Sequence, residues 1–240
     1  MADTPDHLVR SYDQQLKRLR NFLTEMGGIV ENQVALAATA ILDRDVGAAT
    51  RAVEADQNVD ALEHEAEQFV IGLLALRQPM AGDLRAIVAG LKISGELERI
   101  GDYAANVAKR AVVLTQFTLP APLTGLGNMS RLVQENLKTI IDAIGDNDTE
   151  KAISVWRSDE AVDDLYNALF RELITYMMED PRNITPCTHL LFIAKNLERM
   201  GDHATNIAEM VYYAVTGEVL PDARPKGQQN AAYAVVRPKD

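Results

Sequence analysis

The sequence predicts an all-α protein of two tandem, duplicated antiparallel three-helix bundles, six helices in all. Three observations carry that expectation. Long tracts rich in Ala, Leu, Glu, Gln and Arg place apolar residues three and four apart, and no tract alternates Val, Ile and Thr as a strand would. Turn-forming residues interrupt these tracts at five internal places. The chain also repeats itself: between 97–108 and 197–208, eight of twelve positions agree, which marks a duplicated unit.

The first helix runs to the break at Asp43–Asp45, where Asp45 is placed to accept hydrogen bonds from the free amides opening the second. The second ends at Gln78-Pro79-Met80-Ala81-Gly82, and the third at the stretch from Pro120 to Gly127. The fourth ends between Gly145 and Asp148, and Asp148 caps the fifth as Asp45 caps the second. After the break from Glu179 to Pro186, Thr185-Pro186 reads as an N-cap followed by proline at the first position of the sixth helix. Upstream of the repeated phrase the offset is 103: Met26 answers to Met129, Val30 to Val133, Asp45 to Asp148, Ala49 to Ala152, and Val59 to Val162. The offset falls to 100 only across the loops at 78–82 and 179–186, so the second unit has a shorter connection there. This divides the chain into 1–119 and 120–217, one unit each, and a flexible tail from 218 to 240, where Pro221, Pro225 and Pro238 interrupt any apolar face.

Hydrophobic residues at 47% and charged residues at 25% are enough for a buried core. With 35 acidic against 24 basic side chains the net charge is -11, which repels phosphate backbones and anionic lipid and excludes nucleic acid as a partner. The single Cys187 rules out an internal disulfide and a thiolate zinc site and suits a reducing compartment. The N-terminus has no basic, apolar leader, and no stretch approaches the roughly 18 apolar residues of a membrane span. The expected location is cytoplasmic.

The repeated phrase carries acids where a helix should be turned inward. Glu98 and Asp102 lie one turn apart on the face that also bears Leu84, Leu91 and Ala105. Ile93, Ile100, Ala104, Val107 and Ala111 form a second stripe on the opposite side, which predicts packed neighbours on both. Glu198 and Asp202 repeat the pair. The preceding helix of each unit supplies another, Asp56 with Asp60 and Asp159 with Asp163, again at i and i+4. In an antiparallel hairpin, residues at equal height share a midpoint in the numbering. Asp56 with Asp102 and Asp60 with Glu98 share Pro79; Asp159 with Asp202 and Asp163 with Glu198 share the point between Asp180 and Pro181. Each unit should therefore bring four carboxylates to one level. Like charges at i and i+4 repel by a few tenths of a kcal/mol even in water, and more as they leave it. A cation between them would relieve this, and carboxylates without thiolates favour magnesium, manganese or iron. Gly101 and Gly201 predict a close approach by a neighbouring helix at the same level, and Asn106 and Asn206, a turn further on, are candidate outer-shell groups.

A simpler reading stands beside this one: Asp102 with Arg99, and Glu198 with Lys195, would be solvated helix ion pairs worth a few tenths of a kcal/mol each. His203 projects about 100° away from Asp202 and has Tyr103 as its counterpart, so it reads as packing. His64 and His189 lie in no motif, and Cys187, near a helix start, has no repeated partner for a reactive role. No glycine-rich phosphate loop, nucleophile elbow or HExxH is present, and no histidine has Glu three residues before it, as a ferritin-like di-iron enzyme requires.

The phrases GELERIGDYAANVAKR and KNLERMGDHATNIAEMVYY, each closing a three-helix unit after a proline-bearing loop, resemble the paired signatures of the PhoU family of phosphate-uptake regulators. The similarity spans roughly residues 6–217. The resemblance implies multinuclear metal clusters held by paired acidic E(D)xxxD motifs, which fall here on Asp56, Asp60, Glu98, Asp102, Asp159, Asp163, Glu198 and Asp202. It also implies a non-enzymatic, cytoplasmic protein, often a homodimer, associated peripherally with membrane complexes. Such a protein links the ATPase subunit of the phosphate ABC transporter to the phosphate-sensing histidine kinase and represses the starvation response when phosphate is plentiful. A ferritin-like di-iron carboxylate enzyme and a metal-free helical adaptor for another transport system are the alternatives.

Overall fold

The computed structural model describes residues 4–76, 79, 81–119 and 123–221, with side chains from residue 14 onward. Among the described residues there are seven α-helices and no strand: α1 (Thr4–Leu42), α2 (Val46–Leu76), α3 (Ala81–Leu114), α4 (Thr124–Asp146), α5 (Thr149–Arg157), α6 (Asp159–Glu179) and α7 (Ile184–Thr216), with a 3-10 turn at Pro181–Asn183 before the last. The six expected helices are all present, and the fifth is divided at Ser158 into α5 and α6. Ser158 turns both its amide (3.0 Å) and its hydroxyl (2.8 Å) onto the Val155 carbonyl, the local bond by which serine competes with a helix. Its counterpart in the first unit is Ala55, the best helix former, and α2 passes through it unbroken.

The expected aspartate caps form. Asp148 Oδ1 accepts from the amides of Glu150 (2.9 Å) and Lys151 (3.1 Å), behind Asn147 in the left-handed region at φ 52°. Asp45 Oδ1 accepts from the Ala48 amide at 3.0 Å. The last helix starts differently from expectation: Asn183 is its N-cap, and Thr185-Pro186 lie inside its first turn. The cause is upstream, where Asp180 Oδ1 accepts from the Arg182 amide and begins a 3-10 turn at Pro181 that leads directly into α7. Proline is still tolerated at 186, because a first-turn amide has no partner within the helix.

Helices α1 to α3 form one antiparallel bundle and α4 to α7 the other, as the fold class required. They meet along α3 and α7, which also pack antiparallel. Glu96 of α3 meets His203 and Asn206 of α7, whereas Arg110, further along α3, meets His189 and Phe192, nearer the start of α7. The α1 helix packs on α4, and one core runs through both units, from Leu23 and Val30 through Ile100 and Ile140 to Ile207, with a smaller separate cluster of Leu19, Val70, Leu73 and Ile87 in the first. The Arg44 guanidinium bonds the carbonyls of Leu114, Thr115 and Phe117, tying the α1–α2 junction to the end of α3. Of the two stripes predicted on the third helix, Ile93, Ile100, Ala104, Val107 and Ala111 are buried; in the other, Ala105 is buried, Leu91 half-buried and Leu84 41% exposed. An apolar cavity of about 280 Å³ lies between α1, α3, α4 and α7, with Arg20 and Asn147 as its polar lining, and none of the repeated acids reaches it.

Gly217, at φ 78°, ends α7, and residues 218–221 leave the helix; the rest of the predicted tail, 222–240, lies outside the described residues. No described helix is long and apolar enough to cross a membrane. Removing the cap in Asp148→Ala should lower unfolding stability by about 1 kcal/mol. The urea midpoint, at an unchanged m-value, measures this, and an unshifted midpoint would show that the cap is not needed.

Candidate metal centre

The first unit builds its site on Gln33 of α1, which is fully buried. Its Nε2 donates to the Ala52 carbonyl (3.0 Å) and to Asp56 Oδ1 (3.1 Å), which fixes the orientation of the amide. Gln33 Oε1 is buried with no hydrogen-bond partner. A Cβ on Gly101 would stand 3.0 Å from that oxygen, 3.5 Å from Val59 and 3.6 Å from Asp56 Oδ1. Glycine at 101 thus admits α1 and α2 together, which is the close approach the sequence predicts. Along α2 and α3 the four expected acids face one another. Asp60 is exposed, yet partial desolvation, then Asp56 and Asp102, raises its carboxyl above the ordinary range. Glu98 is raised by burial and then by Asp102, with Arg99 opposing and Asp60 and Glu63 adding to the rise.

In the second unit the same acids lie deeper. Asp159, Asp163 and Glu198 are 5%, 8% and 5% exposed, and Asp202 is half-buried. The Thr205 hydroxyl is 3.2 Å from Asp159 Oδ1, and Lys195 Nζ is 2.6 Å from the Glu198 carboxylate. Burial, then Asp159, Glu198 and Asp202, pushes Asp163 up to about 6 against the opposing charge of Lys195. Glu198 is also raised, by burial first, with the Lys195 hydrogen bond opposing and Asp202 adding to the rise. Gly201 lets α6 approach: a Cβ there would stand 3.2 Å from Val162 Cγ1.

The eight predicted acids therefore gather into two groups of four, one in each unit. Hard oxygen donors, mutual repulsion and the unsatisfied Gln33 amide oxygen all fit a hard cation. As the side chains stand, no three carboxylate, imidazole or thiolate groups among the described residues converge closely enough to hold one ion, so closure requires carboxylate rotation. The other candidates lie elsewhere. Asn106 is exposed, whereas Asn206 Nδ2 donates to Glu96 Oε2 (2.9 Å) and His203 Nδ1 lies 2.6 Å from the same oxygen, so both serve the seam between units. Cys187 is fully buried and its thiol is pushed up by that burial, which makes it unreactive. Of the two alternative ion pairs, Lys195 with Glu198 forms, while Arg99 Nε sits 3.6 Å from Glu98 Oε2. Gln33 and Thr205 lie against Asp56 and Asp159, neighbours that the sequence reading does not foresee. Gln33 had a signal, because Asn136 stands at its counterpart position and is also buried.

A family model described as the PhoU domain matches residues 23–111 and 126–211. The chain is 53% identical over 222 residues to a Caulobacter vibrioides protein named phosphate-specific transport system accessory protein PhoU homolog, covering 92% of this chain and 96% of that one. It is 44% identical over 231 residues to a Rhizobium meliloti protein of the same name, covering 96% and 98%. The crystal structure of PhoU from Pseudomonas aeruginosa aligns with a TM-score of 0.84 at 39% identity, covering 86% of this chain and all of that one. The phosphate transport system regulatory protein PhoU from Streptococcus pneumoniae aligns with a TM-score of 0.81 at 30% identity, covering 88% and 99%. With fold, repeated phrases and near full-length relatives in agreement, the chain belongs to the PhoU family.

Proposed function

We propose that this chain is a non-enzymatic, metal-binding regulator of phosphate uptake that links the phosphate ABC transporter to a sensor histidine kinase as a negative regulator. The broader part of this, a role in regulating phosphate transport, rests on the family: its close relatives are named accessory proteins of a phosphate-specific transport system. The metal part rests on one observation, the gathering of like-charged carboxylates in each unit, where desolvation and neighbouring carboxylates raise Asp60, Glu98, Asp163 and Glu198 above their ordinary range. Asp56, Asp60, Glu98 and Asp102 would hold one site and Asp159, Asp163, Glu198 and Asp202 the other. Magnesium, manganese or iron would supply the positive charge that lets these carboxylates stay ionised together.

The chain's own residues do the rest. The acids of each site come from two helices, so a bound ion ties α2 to α3 or α6 to α7 and stiffens the surface offered to a partner. The partners in this reading are the transporter's ATPase subunit, the kinase and a second copy of the chain, met in the cytoplasm at membrane-associated complexes. A di-iron enzyme finds no support in the positions of the histidines, since His203 bonds Glu96 rather than any of the eight acids.

Protein purified without chelator should carry magnesium, manganese or iron by elemental analysis, and Glu98→Ala with Asp102→Ala should remove a substantial share of it. Metal-free protein from the outset, or an unchanged content in the variant, would remove the metal reading. The raised carboxyls also set a sign for pH. Asp163 titrates at about 6 in the fold against an ordinary 3.8, so between these values the native state binds more protons than the unfolded one. The metal-free protein should therefore lose stability as pH rises from about 4 through about 6. Its Tm should be higher near pH 5.5 than near pH 7.5, and Asp163→Asn should melt above the parent near pH 7.5 with a flatter profile. The opposite slope would show that the carboxyl is not raised. For the partners, affinity purification from phosphate-replete cells should recover the transporter ATPase or the kinase, and recovery of neither overturns the linkage.

A further inference from the structure

We infer that the two sites are built for unequal occupancy: the first is an open divalent-cation site, and the second carries its own tethered cation, Lys195, which an incoming metal ion must displace. The inference rests on the metal reading above and deepens it, using each unit as the control for the other. Lys195 reaches Glu198 across one helical turn, Nζ lying 2.6 Å from the carboxylate and 5.2 Å over the Tyr166 ring. At the counterpart position the first unit has Gly95, with nothing within 4 Å of where its Cβ would be, so no side chain from 95 serves Glu98. The counterpart of Tyr166 is Glu63, a further carboxylate whose charge acts on Glu98. The first site therefore assembles five acids, Asp56, Asp60, Glu63, Glu98 and Asp102, where the second assembles four and a lysine.

Hydrogen bonding points the same way. In the second unit the Lys195 ammonium donates to Glu198, and the Thr205 hydroxyl, 3.0 Å from the Gly201 carbonyl, also lies 3.2 Å from Asp159 Oδ1. The counterpart of Thr205 is Ala105, which has no donor to offer. Each unit has a buried oxygen with no hydrogen-bond partner: Glu198 Oε2 in the second, where Lys195 Nζ lies 2.6 Å away, and in the first Gln33 Oε1, beside Asp56 Oδ1 and with no ammonium near it, the two oxygens lying 3.0 and 3.6 Å from one point at Gly101. An acceptor facing a cluster of acceptors is satisfied by a cation, not by another carboxylate. In the second unit, the ammonium already brings charge that a metal ion would bring, and it repels a second cation approaching Glu198. Lys195 is partly exposed and has room to swing outward, which makes it a removable plug.

Titration of chelator-stripped protein with manganese(II), followed by calorimetry and by the paramagnetic signal of the free ion, tests this. The full chain should bind in two phases at least tenfold apart in affinity. Glu98→Ala with Asp102→Ala should abolish the tighter phase. Emission from the single Trp156, buried in α5 three residues before Asp159, should follow the weaker one. Lys195→Met should tighten the weaker phase at least tenfold, and Lys195→Arg should leave it weak. Gly95→Lys, placed where the fold has open space, should weaken the tighter phase by a similar factor. Equal affinities in the full chain, or a weaker phase untouched by Lys195→Met, overturn the inference and leave the metal reading standing. No manganese bound by the full chain or by Lys195→Met overturns both.

Discussion

Four carboxylates held between a pair of antiparallel helices are the constraint around which each unit is arranged. Two like charges about 5 Å apart near a protein surface repel by about 3 kcal/mol, whereas an exposed ion pair returns less than about 1 kcal/mol. Peripheral arginines such as Arg99, which touches Glu98 from solvent at 3.6 Å, cannot balance that cost. The compensation is therefore built into the helices that carry the acids. Gly101 and Gly201 remove the side chains that would hold the neighbouring helices away. Gln33 enters from α1 to hold Asp56, and Lys195 and Thr205 reach Glu198 and Asp159 from α7. Even the break at Ser158 belongs to this arrangement, because it sets Asp159 in the first turn of α6, where free amides and the helix dipole favour a negative charge.

Such a site would be a weakness if its helices were free to spread. They are not, because α3 and α7 each carry acids on one face and pack into the shared core on another. Ile100 and Met200 are both buried two residues from Glu98 and Glu198, so the repulsion at each site is opposed by apolar burial on the same helix. The seam between the units also has a polar clasp: Glu96 receives both His203 and Asn206. Glu96 lies two residues from Glu98, and His203 follows Asp202, so the clasp fixes the two acid-bearing helices relative to each other at the level of the sites.

Most of this was legible in the sequence because it is periodic. The helical class, the duplication and the meeting of Asp56 and Asp60 with Glu98 and Asp102 depend only on 3.6-residue spacing and hairpin register, which a duplicated chain writes twice. What was not legible depends on a single local competition or on a third helix. Ser158 breaks a helix that Ala55 carries through, a difference of one residue that leaves the surrounding period intact. Asp180 starts a turn that moves the beginning of α7 ahead of the Thr185-Pro186 signal. Gln33 joins the site from α1, far along the chain from the acids, and the hairpin argument concerns only the two helices that carry them.

The duplication also separates what the fold needs from what each site does. Positions that preserve packing agree in the two units: Gly101 with Gly201, Val59 with Val162, Ala104 with Ala204, all buried or at the close approach. Positions that differ surround the acids while leaving the acids themselves unchanged: Gly95 against Lys195, Glu63 against Tyr166, Ala105 against Thr205. Each of these exchanges alters charge or hydrogen-bonding capacity, and Gly95 against Lys195 changes side-chain volume most. The two sites are not under the same constraint, because the acids of the second unit lie deeper and cost more to bury. Here the second unit meets that cost with groups of its own and the first leaves it open, and the core beneath them barely distinguishes the two.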